Sequence, residues 1–184
     1  MSGKVSVISL SLALVLLFFS GCSDADISVY ADVLSRPFCA DVSVVNLETE
    51  YNATVTLHDR VKNEQTGEYM LRDGEVLYTS PESLSDISAT RYKGTVTVGV
   101  GGVVLTPSEK VGQRYAAIID TLDLGAHEML DWQKVTVSDR VVRRIRYLHQ
   151  DNEVILFVDD ETKLPISLEC GAMKLSFGKF VYIT

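Results

Sequence analysis

Apolar positions along the chain change period three times, and each change predicts a different element. An almost unbroken apolar run of 15 residues, Val5–Phe19, comes first. Ile27, Tyr30, Ala31 and Leu34 then fall at i, i+3, i+4 and i+7, the stripe of a short amphipathic helix that must end before Pro37. From Phe38 the period drops to two. Phe38, Ala40, Val42 and Val44 alternate with Cys39, Asp41 and Ser43, and Tyr51, Ala53, Val55 and Leu57 alternate with Asn52, Thr54, Thr56 and His58. After a polar loop at 62–67, two runs around 68–72 and 76–79 flank Asp73-Gly74, which reads as a hairpin turn. Further strands follow at 87–92 and 95–100, with Gly94 and Gly101-Gly102 as turns.

The helical period returns once. Val111, Tyr115, Ile118, Ile119 and Leu122 make one apolar stripe after Pro107, with Ser108 as N-cap and Gly125 as stop. His127–Trp132 reads as one more helical turn. Alternation then resumes at 134–137, 141–148, 154–158, 164–170 and 173–182, with a bulge expected at Gly178 where the inward phase shifts. The pattern predicts one mainly β (α+β) domain over residues 27–184: a curved antiparallel sheet whose apolar face is covered by the mid-chain helix and the short N-terminal one.

The first run carries a different message. Lys4 precedes it, and Phe19-Ser20-Gly21-Cys22 closes it with two small residues and a cysteine. Fifteen residues are short for a bilayer-spanning helix, which needs about 20, but they fit an export signal. Residues 1–21 are therefore expected to be a lipoprotein signal peptide, Cys22 the lipidated residue, and 22–26 a polar tether. An ordinary secretory signal or an uncleaved anchor are the alternatives. The expected location is extracytoplasmic, on the outer face of the cell membrane. The whole chain carries a net charge of −8, and loss of Lys4 with the leader makes it more negative. That balance disfavours nucleic acid or anionic lipid as a general partner, because both reward a basic face, and no nucleic-acid partner is expected.

Two cysteines remain, Cys39 and Cys170, and an oxidising compartment leaves a disulfide between them open. Residue patterns for catalysis are missing: Gly99–Gly102 lacks the third glycine and the following helix of a dinucleotide loop. His58, His127 and His149 have no ligand spacing, and no serine sits in a nucleophile motif. Asp159-Asp160-Glu161 reads as a solvated turn rather than a calcium loop. No metal, no cofactor and no catalytic residue is expected. Arg140, Arg144 and Arg146, on one face of a strand, form a local basic spot that would contact an anionic partner or pair with acidic neighbours across the strands. Tyr78, Tyr92, Tyr115, Ile118, Ile119, Leu122 and Phe157 are the expected lining of an apolar cavity between sheet and helix, unless they simply fill it.

Short motifs add a resemblance. Arg36-Pro37-Phe38, the run Val76-Leu77-Tyr78-Thr79-Ser80-Pro81-Glu82-Ser83-Leu84, the 107–122 helix and Asp159-Asp160-Glu161-Thr162-Lys163-Leu164-Pro165-Ile166 are together similar to the LolA/LolB-type lipoprotein-carrier family. The nearest likeness is to the Gram-positive germination lipoproteins, the GerS-like proteins. The resemblance implies a curved half-barrel, a non-catalytic role, and either an acyl-chain ligand held in the half-barrel or an envelope protein partner in spore germination. It also implies an arginine that latches a helix onto the sheet, for which Arg91 is a candidate. A homodimer is left open.

Overall fold

The computed structural model describes residues 27–47, 49–124, 128–149 and 152–183. The signal peptide, Cys22 and the tether, all expected within residues 1–26, lie outside the described residues, as do Gly125 and His127. The first described element is the helix α1 (Ser28–Ala31), continued by a 3-10 turn at Asp32–Leu34. Five strands precede a sixth, short one: β1 (Phe38–Asn46), β2 (Thr49–Leu57), β3 (Gly74–Ser80), β4 (Ile87–Tyr92), β5 (Thr95–Val100) and β6 (Val103–Leu105). Helix α2 (Glu109–Leu122) follows, and then β7 (Glu128–Val137), β8 (Arg140–His149), β9 (Asn152–Asp159), β10 (Pro165–Cys170) and β11 (Met173–Tyr182).

All eleven strands join one antiparallel sheet in the order β6-β5-β4-β3-β2-β1-β11-β10-β9-β8-β7. Its centre is the β1–β11 pair, which brings the first and last strands together. Alternation decides the faces as the sequence pattern predicts: Phe38, Ala40, Val42 and Val44 of β1 and Val154, Leu156 and Val158 of β9 are buried, and their neighbours are not. The bulge expected at Gly178 is present. Ala40 faces Phe180 and Val42 faces Phe177, so β11 carries one extra residue opposite Asp41.

The curved half-barrel expected from sequence is a correction. The sheet is open, with β6 and β7 as two separate edges, and it is neither closed nor strongly curled. Two covers share its apolar face. Helix α2 lies against β3, β4 and β5, while the N-terminal segment lies over the other half, where the Tyr30 hydroxyl donates to Asp160 (2.6 Å) and the Tyr182 hydroxyl to the Val33 carbonyl (3.1 Å). Two covers, one for each half of a wide sheet, remove the need to curl around a single helix.

Two local expectations also fail. Residues 128–132 extend β7 instead of adding a helical turn, because Met129 and Trp132 find cross-strand partners in Tyr147 and Ile145. The run 68–72 is not a strand. Tyr69, Met70 and Leu71 are exposed, and a lone bridge between Lys62 and Tyr69 is the ladder contact of this loop among the described residues. Asp73-Gly74 is accordingly not a hairpin turn. Gly74 opens β3 at a close approach, where a Cβ would stand 2.8 Å from the Thr56 carbonyl oxygen and 2.5 Å from Leu57 Cδ2.

Candidate functional site

The apolar stripe of α2 is spent on packing. Ile118, Ile119 and Leu122 are buried in the core, together with Tyr78 of β3, and Tyr115 meets the Tyr78 ring edge-on at 6.3 Å. Burial, first, and then Tyr51 and Tyr115 push the Tyr78 hydroxyl well above the ordinary tyrosine range. Tyr92 is 62% exposed and Phe157 lies on the face of β9 opposite Val154, Leu156 and Val158. Strand parity explains both: Tyr92 follows inward-facing Arg91, and Phe157 falls between two inward residues. The apolar set expected to line a cavity therefore divides into core and outer face.

A cleft of about 760 Å³ lies instead along another side of α2, against β4, β5 and the chain leading into the helix. Gly112, Ala116 and Ala117 form its helical wall, Thr95 and Val96 its β5 wall, and Arg91, Asp120 and Asp123 its charged end. Small side chains on the helix open this space. Gly112 is a place where a Cβ would stand 3.3 Å from Val96. Ser108 stands before the helix without a side-chain cap bond, so its N-cap role is carried by its carbonyl alone, which accepts from the Val111 and Gly112 amides.

The charged end is the hub of the fold. Arg91, 3% exposed, donates from Nε to the Arg72 carbonyl at 2.7 Å and from Nη1 to the Asp120 carboxylate on α2. Its Nη2 has no hydrogen-bond partner among the described residues. Arg72, fully buried, donates to three backbone carbonyls: His58 at 2.6 Å, Arg36 at 2.5 Å, and Leu34. Burial pulls the Arg72 guanidinium below its ordinary value, and the nearby Asp123 carboxylate offsets part of that. Arg60 closes the arrangement by pairing with Asp123, Nε to Oδ1 at 2.8 Å and Nη2 to Oδ2 at 3.2 Å. An arginine relay thus ties the N-terminal segment, the 58–73 loop, β4 and the end of α2 to one another. The latching role suggested for Arg91 matches its contacts with Arg72 and Asp120.

Sequence reasoning missed Arg60, Arg72 and Asp123. Their spacing carries no motif, since the relay is assembled from the 58–73 loop, the end of β4 and the end of α2. One signal was present: Arg91 has the inward parity of Ile87 and Ala89, and an arginine at a core position requires a partner.

The remaining candidates are structural in their contacts. Arg146 forks onto Glu153 (2.8 and 2.9 Å) and reaches Asp131 at 2.6 Å, and Arg144 approaches Glu153 at 3.7 Å, while Arg140 is exposed near the hairpin tip. Neighbouring strands thus supply anionic partners for two of the three. Asp159 accepts from the Glu161 and Thr162 amides at 3.0 and 2.7 Å, which makes its acidic run a self-satisfied turn. Among the described residues no group of three or more His, Cys, Asp or Glu is placed to hold a metal. Cys39 and Cys170 are both free. They stand beside opposite ends of β11, opposite Val181 and Met173, which is roughly 26 Å along a strand and far beyond disulfide reach.

No protein-family model matches the chain. No curated protein matches it. Among solved structures, it is similar to an uncharacterized conserved protein from Thermus thermophilus, with 14% identity, a TM-score of 0.49 and 89% of each chain covered. It is similar to a chain of the Pseudomonas aeruginosa MucA/MucB complex at 13% identity and a TM-score of 0.44, over 86% of this chain and 57% of that one. A LolA superfamily protein from Nitrosomonas europaea aligns at 12% identity and a TM-score of 0.41, over 87% of this chain and 93% of the other. This chain spans little more than half the length of the Pseudomonas chain.

Proposed function

We propose that the protein is an extracytoplasmic lipoprotein, anchored through Cys22, whose domain binds an envelope protein partner at the α2 cleft without catalysing a reaction. The observation that carries the binding reading is the cleft itself: about 760 Å³ beside a buried, pinned arginine, framed by small residues on a helix. Its lining is mixed: Leu71, Val96, Pro107, Ala116 and Ala117 stand beside Thr95, Thr106, Gln113 and the charged end at Arg91, Asp120 and Asp123. The apolar face of the sheet, where an acyl chain would lie, is filled by core side chains such as Phe38, Leu57, Ile119 and Leu156, which makes the acyl-carrier reading the weaker one. A fixed anchor points the same way, since a tethered domain serves its own membrane rather than shuttling between two. The sequence resemblance to germination lipoproteins supports the spore envelope as the setting.

Two variants test this reading. Cys22→Ala should move the protein from the membrane to the soluble fraction, and unchanged membrane association contradicts the anchor. Ala117→Trp fills the cleft from the helix side. Native mass spectrometry of protein extracted from its own cells should show a stoichiometric protein partner with the parent and none with Ala117→Trp at unchanged melting temperature. A partner retained by Ala117→Trp, or a bound lipid in place of a protein, contradicts the cleft as a protein-binding site.

A further inference from the structure

The position of Ile27 in the core fixes which end of the sheet lies near the anchor, an inference that rests on the proposed lipidation of Cys22. Five residue steps separate Cys22 from Ile27, and fully extended they reach at most about 17 Å. Ile27 is 7% exposed and belongs to the core, so the reach is measured from a fixed point. Tyr30, one turn on, is held by Asp160 and Lys163, with the Arg143 guanidinium 5.0 Å from its ring centre. Asp160 in turn donates its amide to the Val141 carbonyl (3.1 Å) and pairs with Arg143 (2.8 Å) and Lys134 (2.9 Å). These contacts seat the first helix over β8 and the turn between β9 and β10, beside the β7 edge of the sheet. The other edge, β6, is ten strand spacings away, about 48 Å along the sheet. The tether is too short to bring β6 to the lipid while β7 points away.

We propose that the β7–β8 edge is the membrane-facing surface of this protein, resting in the headgroup layer of the bilayer that holds Cys22. The side chains there suit that layer. Val29, Met129, Leu130, Val137 and Val141 are all exposed along this edge. Lys134 and Arg143 pair with Asp160, Arg144 and Arg146 with Glu153 and Asp131, and Arg140 stands beside Asp139, so the basic side chains of this edge are matched by carboxylates and its attraction to lipid is mainly apolar and short-ranged. The outer backbone groups of β7 have no strand beside them among the described residues, which keeps the edge out of the hydrocarbon, where unpaired amides and carbonyls are costly. The cleft and the exposed Val103, Val104 and Leu105 of β6 are then presented on the side away from the membrane.

Fluorescence quenching tests the orientation. The lipidated protein is reconstituted into phosphatidylcholine vesicles that carry a nitroxide either near the headgroup or near the chain end. Trp132, the one tryptophan of the chain, is replaced by Phe, and a single tryptophan is introduced by Val137→Trp, Val141→Trp or Val104→Trp. The expected result is loss of most emission from Val137→Trp and Val141→Trp with the headgroup-proximal nitroxide, a smaller loss with the chain-end label, and none from Val104→Trp with either. Quenching of Val104→Trp as strong as that of the hairpin variants overturns the proposal, as does an unquenched hairpin in vesicle-bound protein. Hairpin tryptophans shielded from both nitroxide and aqueous acrylamide would mean that a second copy covers this edge, which also overturns it. Protein that leaves the vesicles altogether marks failure of the lipid anchor itself, separately from the orientation.

Discussion

At the scale of single residues, two charged side chains, buried Arg72 and half-buried Asp160, organise the molecule. Arg72 supplies donors to three backbone carbonyls from two different segments at a fully buried position. Arg72→Met should destabilise the fold by about 3–5 kcal/mol, because it leaves those carbonyls unsatisfied. Urea denaturation checks this, and a loss of under about 1 kcal/mol would remove Arg72 from the hub. Asp160 makes the corresponding link on the other half. Hydrogen bonds from Tyr30, then Arg143, then Lys134 hold its carboxyl well below the usual carboxylate range. A depressed carboxylate contributes stability that is present above its unfolded value, about 3.9, and lost as pH falls through the lower folded value. Stability of the parent should therefore fall more steeply below about pH 4 than that of Asp160→Asn, which starts lower at neutral pH; parallel curves would contradict the assignment.

At the scale of elements, alternation and helical stripes were legible wherever burial is one-sided. Strands β1, β2, β9 and β11, helix α2 and the Gly178 bulge all follow from apolar spacing. Position within α2 was less so: Val111 belongs to the stripe but is exposed, and the first turn meets β5 through Gly112 instead. What failed was decided by distant partners. Local pattern at 128–132 suits a helix, but β8 offers a ladder that pairs the inner edge of this segment along ten residues. Asp73-Gly74 has turn chemistry, yet its glycine is required by the closeness of β2. Gly74→Ala should cost about 1–3 kcal/mol through displacement of β3 against Thr56 and Leu57. A thermal melt of Gly74→Ala matching the parent would show that the approach is not tight.

At the scale of the whole molecule, an eleven-stranded open sheet with two covers replaces the half-barrel that the sequence resemblance implied. The difference bears on function. In a half-barrel the apolar concave face is the ligand site, whereas here that face is filled by Phe38, Leu57, Ile119, Leu156 and their neighbours. The candidate site moves to the side of α2, and its polar end was hidden from sequence because relay members from residue 34 to residue 123 meet only in the fold. The leader expected at residues 1–21, by contrast, is a local signal readable without any fold. In the proposed reading it holds the domain at a fixed place, with one edge toward the lipid and its cleft turned outward. Intact mass spectrometry of the protein extracted from its own membranes tests that premise most directly. The account predicts a chain that begins at Cys22 and carries a diacylglycerol-type lipid mass, whereas an unmodified Cys22, or a chain that still carries residues 1–21, would contradict it.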